Sequence, residues 1–297
     1  MTGGGLEVAG EVSLAVAAKA SAENFPVALR VLPARLRQHL TAYYGFARLT
    51  DDIGDEPLPG VSGLSEQQER ATRIRLLDDL EADVRKIYAA GQEPELPAIR
   101  ALGETVRATG IPLVSLADLI QANRQDQLVT RYETYDDLVR YCELSANPVG
   151  QVVLAIMSAA TPARITASDS ICTALQLVEH TQDVAEDLAN GRIYLPREDL
   201  ERFGVTELDL ARPRAEANVR QLIKFEADRA QQLLDEGAPL IGTLRGAARV
   251  AIAGYLAGGR AALKAIADQN YDVLQSTPKP GKADTLKAMA SCYLKGR

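Results

Sequence analysis

Apolar residues recur at intervals of three and four along almost the whole of this 297-residue chain, and no convincing segment alternates with a period of two. Positions three and four apart share a face of an α-helix, whereas alternate positions share a face of a strand. The pattern predicts an all-α fold. Trp is absent and Phe occurs only four times, while Ala and Leu abound, a balance that favours helix over strand. Helices are expected over roughly 66–90, 96–108, 113–128, 135–160, 168–189, 215–236 and 244–269. A further one is expected to start near Ser21–Pro26 and run through Leu36, Leu40, Tyr43, Tyr44 and Ala47, with Pro57-Leu58-Pro59-Gly60 as its stop. Gly191 is placed to cap the end of the 168–189 helix. With no internal repeat or low-complexity linker, the economical reading is one domain over residues 21–275. A partly flexible segment, 1–20, precedes it, and a basic, helical tail, 276–297, follows.

Several function classes fall away on composition. A net charge of −7 argues against non-specific nucleic-acid binding, which needs basic surface. Cys142, Cys172 and Cys292 are odd in number and widely spaced, matching neither a disulfide framework nor a zinc pattern. They read as reduced thiols packed as small apolar groups. The N-terminus lacks the basic and apolar regions of a signal peptide. No uninterrupted apolar run reaches the roughly 18 residues expected of a spanning helix; the best, 148–163, is broken by Gln151 and Ser158. The expectation is a soluble, cytoplasmic chain. Gly3-Gly4-Gly5 and Gly258-Gly259 have neither the strand context nor the spacing of a dinucleotide site.

Two acidic clusters carry the chemistry: Asp51-Asp52-Ile53-Gly54-Asp55-Glu56 and Asp183-Val184-Ala185-Glu186-Asp187. At helical spacing Asp51 and Asp52 stand over Asp55, and Asp183 stands over Asp187. Like charges so placed destabilise a helix by a few tenths of a kcal/mol each. Tyr44 and Arg48 extend the first stripe, and Gln176 with Glu179 or His180 extends the second. For the first stripe alone, a solvated face in which Arg48 pairs with its neighbours is the plainer account. The second interrupts the apolar face of Ile171, Leu175 and Val178, where solvation is harder to sustain. Hard divalent cations such as Mg²⁺ prefer carboxylate oxygens and share their coordination with substrate phosphates, so the pair of stripes predicts a Mg²⁺-diphosphate site.

With Tyr44-Gly45-Phe46-Ala47-Arg48-Leu49-Thr50 ahead of the first cluster, Tyr141-Cys142 followed by Pro148-Val149-Gly150, and Gln176, Asp183, Asp187 and Gly191-Arg192-Ile193-Tyr194-Leu195-Pro196 in order, the chain resembles the squalene/phytoene synthase family from about Asn24 to Leu274. The resemblance implies an isoprenoid synthase bundle around a central cavity, with Mg²⁺ as cofactor and a prenyl diphosphate as substrate. Asp51, Asp52, Asp55, Asp183 and Asp187 would hold the metal. Arg48 and Tyr44 would contact diphosphate, and Gln176, Tyr141 and Tyr255 would line the reaction chamber.

Glu179 and Gln182 stand where condensing members usually carry Asn and Arg. Together with Asn24-Phe25-Pro26-Val27 and Arg124-Gln125-Asp126-Gln127, they are similar to the hydroxysqualene synthase branch of bacterial squalene and hopanoid biosynthesis. That branch ionises presqualene diphosphate and adds water, between a presqualene diphosphate synthase and a hydroxysqualene reductase. A substrate with one diphosphate needs fewer cationic donors than two diphosphates held together. Glu179, His180 or Gln182 would orient the water. The alternatives are a condensing synthase joining two prenyl diphosphates and a non-catalytic helical scaffold. His39, beside Arg35 and Arg37, reads as surface. The basic residues Lys279, Lys282, Lys287, Lys295 and Arg297 outnumber Asp284 in the tail. A solvated helix is the plainer account of that excess; peripheral contact with anionic lipid, or Lys279 or Lys282 folded back onto diphosphate, are the others.

Overall fold

A computed structural model of the chain describes residues 32–58 and 63–295. The helix start at Asn24–Pro26 and the Pro59-Gly60 stop lie outside the described residues. Fourteen helices are seen among the described residues, with no strand; the sole extended pairing there is a parallel bridge between Arg131 and Ile193. The chain divides into two compact units, one of residues up to Leu128 with Val152–Ser158, the other of Val129–Gln151 and the residues from Ala159 onward.

The first unit holds α1 (Ala34–Asp55), α2 (Glu66–Lys86), α3 (Pro97–Thr109) and α4 (Leu113–Asp126). Helix α1 packs on each of the other three. Its inward stripe, Leu40, Tyr43, Phe46, Leu49 and Ile53, is buried, and each such side chain contributes about 1.5–3 kcal/mol relative to exposure. Helix α2 starts at Ser65, whose hydroxyl accepts from Gln68 N while the Gln68 side chain accepts from Ser65 N, a reciprocal cap that satisfies two of the orphan N–H groups. Buried Asp83 accepts from Glu95 N at 2.7 Å and Leu96 N at 2.9 Å and so fixes the entry to α3. Gly110, at φ 71°, ends α3 in the left-handed region that only glycine enters without cost. His39 is half-buried, with Nδ1 3.0 Å from Thr105 Oγ1; it joins α1 to α3 rather than standing free on the surface.

The next helices are α5 (Tyr135–Ser145) and α6 (Asn147–Ile156), where one helix over 135–160 was expected. Pro148 disfavours helical geometry at the residue before it and cannot donate a backbone hydrogen bond. Asn147 at this break is buried and accepts from Thr173 Oγ1 at 3.0 Å.

The second unit continues with α7 (Pro162–Gln182), α8 (Val184–Ala189), α9 (Arg197–Phe203), α10 (Glu207–Leu210), α11 (Ala217–Gly237), α12 (Leu240–Thr243), α13 (Gly246–Asp268) and α14 (Lys282–Lys295). Helix α7 begins six residues before the expected 168, because Thr161 caps it and Pro162 occupies its first position. It packs along α11. A Cβ added at Gly237 would lie 2.6 Å from Ala167 O and 2.5 Å from Ile171 Cγ1, so the absent side chain sets how closely these helices meet.

The short helices α9, α10 and α12 were not anticipated. Helix α9 is tied to α11 by a buried ion cluster in which Arg229 pairs with Asp199 and Glu226 and lays its guanidinium 4.1 Å over the Tyr135 ring. Helix α13 is long and apolar enough to cross a membrane, but half of that window is buried inside the protein, as in a core helix. The three cysteines are unbridged, with Cys142 and Cys292 buried and Cys172 partly so.

Candidate functional site

In the first unit the acidic cluster forms the last turn of α1. Asp51 and Asp55 are exposed, one turn apart. Burial of the surrounding protein, helped by Asp55 and Asp52, pushes the Asp51 carboxyl up to about 6, against a lowering hydrogen bond from Asn123 and the charge of Arg48. Accessible surface and strong desolvation coexist where a group sits in the wall of a recess; accessibility decides whether a ligand can reach it. Asn123 Nδ2 lies 3.3 Å from Asp51 Oδ1. Gly54 makes room for this amide, since a Cβ there would meet Asn123 Oδ1 at 2.3 Å. Gln127 donates to Gly54 O at 3.2 Å from the end of the same helix.

Asp52 departs from the expectation. It is only 4% exposed, and its carboxylate is held by Arg48 Nε at 2.8 Å. Adjacent helical residues point about 100° apart, so Asp52 faces inward while Asp51 and Asp55 face out. Arg48 also reaches Glu56 at 3.3 Å, so the pairing with neighbouring carboxylates is present. Tyr44 is half-buried two turns earlier on this helix.

In the second unit the acidic cluster straddles a break. Helix α7 ends at Gln182, Asp183 adopts φ −100° and ψ 15°, and α8 begins at Val184. Backbone hydrogen bonds flank the break, Asp183 N to Glu179 O at 2.9 Å and Asp187 N to Asp183 O at 2.8 Å, and the second keeps the two carboxylates one turn apart. Burial first, then Asp183, pushes Asp187 up to about 7, while Arg192 opposes. Asp183 is raised by burial and Glu186 and lowered by Lys279. Gly191, at φ 78°, turns the chain out of α8 as expected, and Arg192 N donates to Asp187 O at 2.8 Å.

A cleft of 480 Å³ opens beside this turn. Its floor is apolar (Leu175, Val178, Ala262), and its rim carries Glu179, Asp183 and Lys279. Glu179 is exposed to this cleft yet raised by desolvation, with Asp183 adding to the shift. Gln182 donates through Nε2 to Pro278 O, which fastens the segment before α14 across the cleft and commits that amide. His180 is 7% exposed, and its ring stacks on Tyr194 at 3.7 Å. Burial lowers it to about 3, which keeps the imidazole neutral. Its Nε2 lies 3.2 Å from Gln176 Nε2, so a neutral His180 accepts there and orients the Gln176 amide.

Tyr141, expected in the chamber wall, is instead 5% exposed and packed against Tyr132, Tyr194 and His180. Tyr255 keeps 48% of its surface, and burial pushes its hydroxyl up all the same. Asn123 and Lys279 are further polar groups at these carboxylates. Asn123 was legible only as an amide interrupting the apolar run Leu116, Leu119, Ile120 and Ala122.

Whether these residues suit a divalent cation can be judged from the donors. Among the described residues no three His, Cys, Asp or Glu side chains converge into a metal cage. Each unit supplies an outward pair of carboxylates instead, Asp51 with Asp55 and Asp183 with Asp187, each mutually repelling. Mg²⁺ commonly takes one or two carboxylates and completes its octahedron with water and substrate phosphate. The donor set fits a metal shared with a diphosphate.

The squalene/phytoene synthase family model matches residues 18–284. A hydroxysqualene synthase of Rhodopseudomonas palustris is 33% identical over 75% of this chain and 72% of its own. A phytoene synthase of Mycobacterium bovis is 31% identical over 75% of this chain and 70% of its own. The crystal structure of squalene synthase HpnC from Alicyclobacillus acidocaldarius superposes with a TM-score of 0.77 at 38% identity, covering 88% of this chain and 95% of that one. The helical architecture, the ordered acidic motifs and these likenesses together place the chain in the squalene/phytoene synthase family, whose members are enzymes acting on prenyl diphosphates.

Proposed function

We propose that the chain converts presqualene diphosphate and water to hydroxysqualene and diphosphate, with Mg²⁺ as cofactor. The observation that carries this reading is Glu179: a carboxylate in an apolar-floored cleft, beside the acidic turn, where condensing relatives are expected to carry Asn. Of the three residues expected to orient water, His180 is covered by Tyr194, and the Gln182 amide is committed to Pro278 O. Glu179 lines the cleft as an exposed carboxylate.

Asp51, Asp55, Asp183 and Asp187 would hold Mg²⁺, which when bound neutralises the leaving diphosphate. Asp52 keeps Arg48 extended along α1. Arg48 would contact the diphosphate, and a single donor to a developing oxyanion is typically worth about 2.7–4 kcal/mol. The carbon–oxygen bond to diphosphate breaks with its electron pair on the diphosphate, and the cation rearranges against apolar wall and tyrosine faces such as that of Tyr255. Glu179 then aligns one water, whose oxygen bonds to carbon while its proton passes to the carboxylate. Raised affinity for a proton suits that role.

The test is product identity. Purified protein is given presqualene diphosphate or farnesyl diphosphate, with and without Mg²⁺, and extracts are analysed by mass spectrometry. Hydroxysqualene from presqualene diphosphate, with farnesyl diphosphate inert, is expected. Turnover of farnesyl diphosphate alone would establish the condensing reaction, which similarity to a phytoene synthase favours. Turnover of neither, and none of geranylgeranyl diphosphate supplied in the same way, would leave a scaffold.

A further inference from the structure

The C-terminal helix α14 carries apolar side chains on the side its packing does not use. Leu286, Ala290 and Tyr293 follow one another at spacings of four and three, Leu294 stands four beyond Ala290, and all are exposed, Leu286 to 67% and Leu294 to 79%. The opposite side, with buried Cys292 and partly buried Thr285, Ala288 and Met289, packs on α13. An amphipathic helix at a protein surface ordinarily turns polar groups outward. Here the outward stripe is apolar, and its flanks are basic. Lys287 is exposed on the same side. Arg249 of α13 lies 5.0 Å from the Tyr293 ring centroid and donates to Tyr293 O at 2.6 Å, and Arg245, one turn earlier, is exposed.

We propose that this stripe is a docking surface for an anionic phospholipid bilayer, on which α14 lies in the plane of the headgroups. Leu286 and Leu294 would enter the acyl boundary, and Tyr293 suits the interface, its ring apolar and its hydroxyl wet. Charge selects this occupant over a second copy of the chain. A two-fold contact would gather the basic flanks of two copies, Lys287 and Arg249 of each, into one interface, whereas an anionic leaflet attracts them, each basic residue near the surface adding about fivefold in affinity. The stripe contains none of the residues proposed to hold metal or to position water, and it does not depend on the proposed reaction.

The experiment is co-flotation of the full chain with vesicles of phosphatidylcholine alone and of phosphatidylcholine mixed with phosphatidylglycerol. Binding is expected to the anionic vesicles, weakening with salt, and falling at least about tenfold in Leu286→Ser/Leu294→Ser and about fivefold in Lys287→Gln. Circular dichroism and thermal melting should be unchanged, since these side chains face away from the core. Absence of flotation with anionic vesicles, or equal flotation of the double variant, would overturn the proposal. So would a lipid-free dimer in sedimentation velocity that the double variant abolishes, since that would assign the stripe to a second copy.

Discussion

His180 offers the most direct check on the interior of the second unit. Its imidazole is buried beneath Tyr194 and held neutral down to about pH 3, against 6.5 in an unfolded chain. Above 6.5 neither state is protonated there and the residue is neutral to stability. Below it the unfolded chain takes up a proton that the folded chain refuses, so stability falls with pH until the folded value is reached. At pH 5 the loss works out at about 2 kcal/mol. Asp51, Asp187 and Glu226 are raised, so their linkage runs the other way, and the total curve is a sum. A difference between proteins isolates the histidine. His180→Phe keeps the stack on Tyr194 but has no proton to refuse. Guanidinium denaturation of both proteins from pH 7.5 to 5 should show the gap between them shifting by about 2 kcal/mol in favour of Phe at the acid end. Parallel pH curves would refute the burial argument. They would also reopen His180 as a group that water can reach.

Other outcomes follow from the same geometry. Glu179→Gln should lower hydroxysqualene formation by about 10²–10⁴-fold and raise the hydrocarbon share of the products, read by mass spectrometry; an unchanged alcohol share would remove Glu179 from water positioning. Asp51→Asn and Asp183→Asn should each cost about 10²–10³-fold in turnover with an unchanged or higher melting temperature, because each relieves repulsion; a large fall in melting temperature would make them structural. Gly237→Ala should destabilise by about 1–3 kcal/mol in chemical denaturation despite the better helix propensity of Ala, since the new methyl meets the backbone carbonyl of Ala167.

Much of the fold was legible because its helices are long and their apolar spacing persists over several turns. Helices α9, α10 and α12 span too few residues for a period to emerge, and the break at Asp183 involves residue types that continue a helix as readily as they end one. Mutual repulsion made the acidic turns visible. Which of Asp51 and Asp52 faces outward was not, because adjacent residues differ only in direction, and packing in the first unit settles that. Tyr141 and Tyr255 are chemically alike, yet one is locked into an aromatic stack and the other keeps an open face. The Asn123–Asp51 contact joins positions 72 residues apart, a separation over which no local pattern carries information.

The interruption at Asp183 divides labour along what would otherwise be one rod. Gln176 and Glu179 ride on α7, clamped by its long contact with α11. Asp187 rides on a separate six-residue turn, anchored by Arg192 N and by the bridge from Ile193 N to Thr130 O. The two halves answer to different supports, so they can drift independently under mutation. Changes around Thr130 and Ile193 should tune cation affinity and leave product identity alone, while changes along the α7–α11 seam should do the reverse. A lineage could in this way retune what its enzyme makes without relearning how it grips a diphosphate.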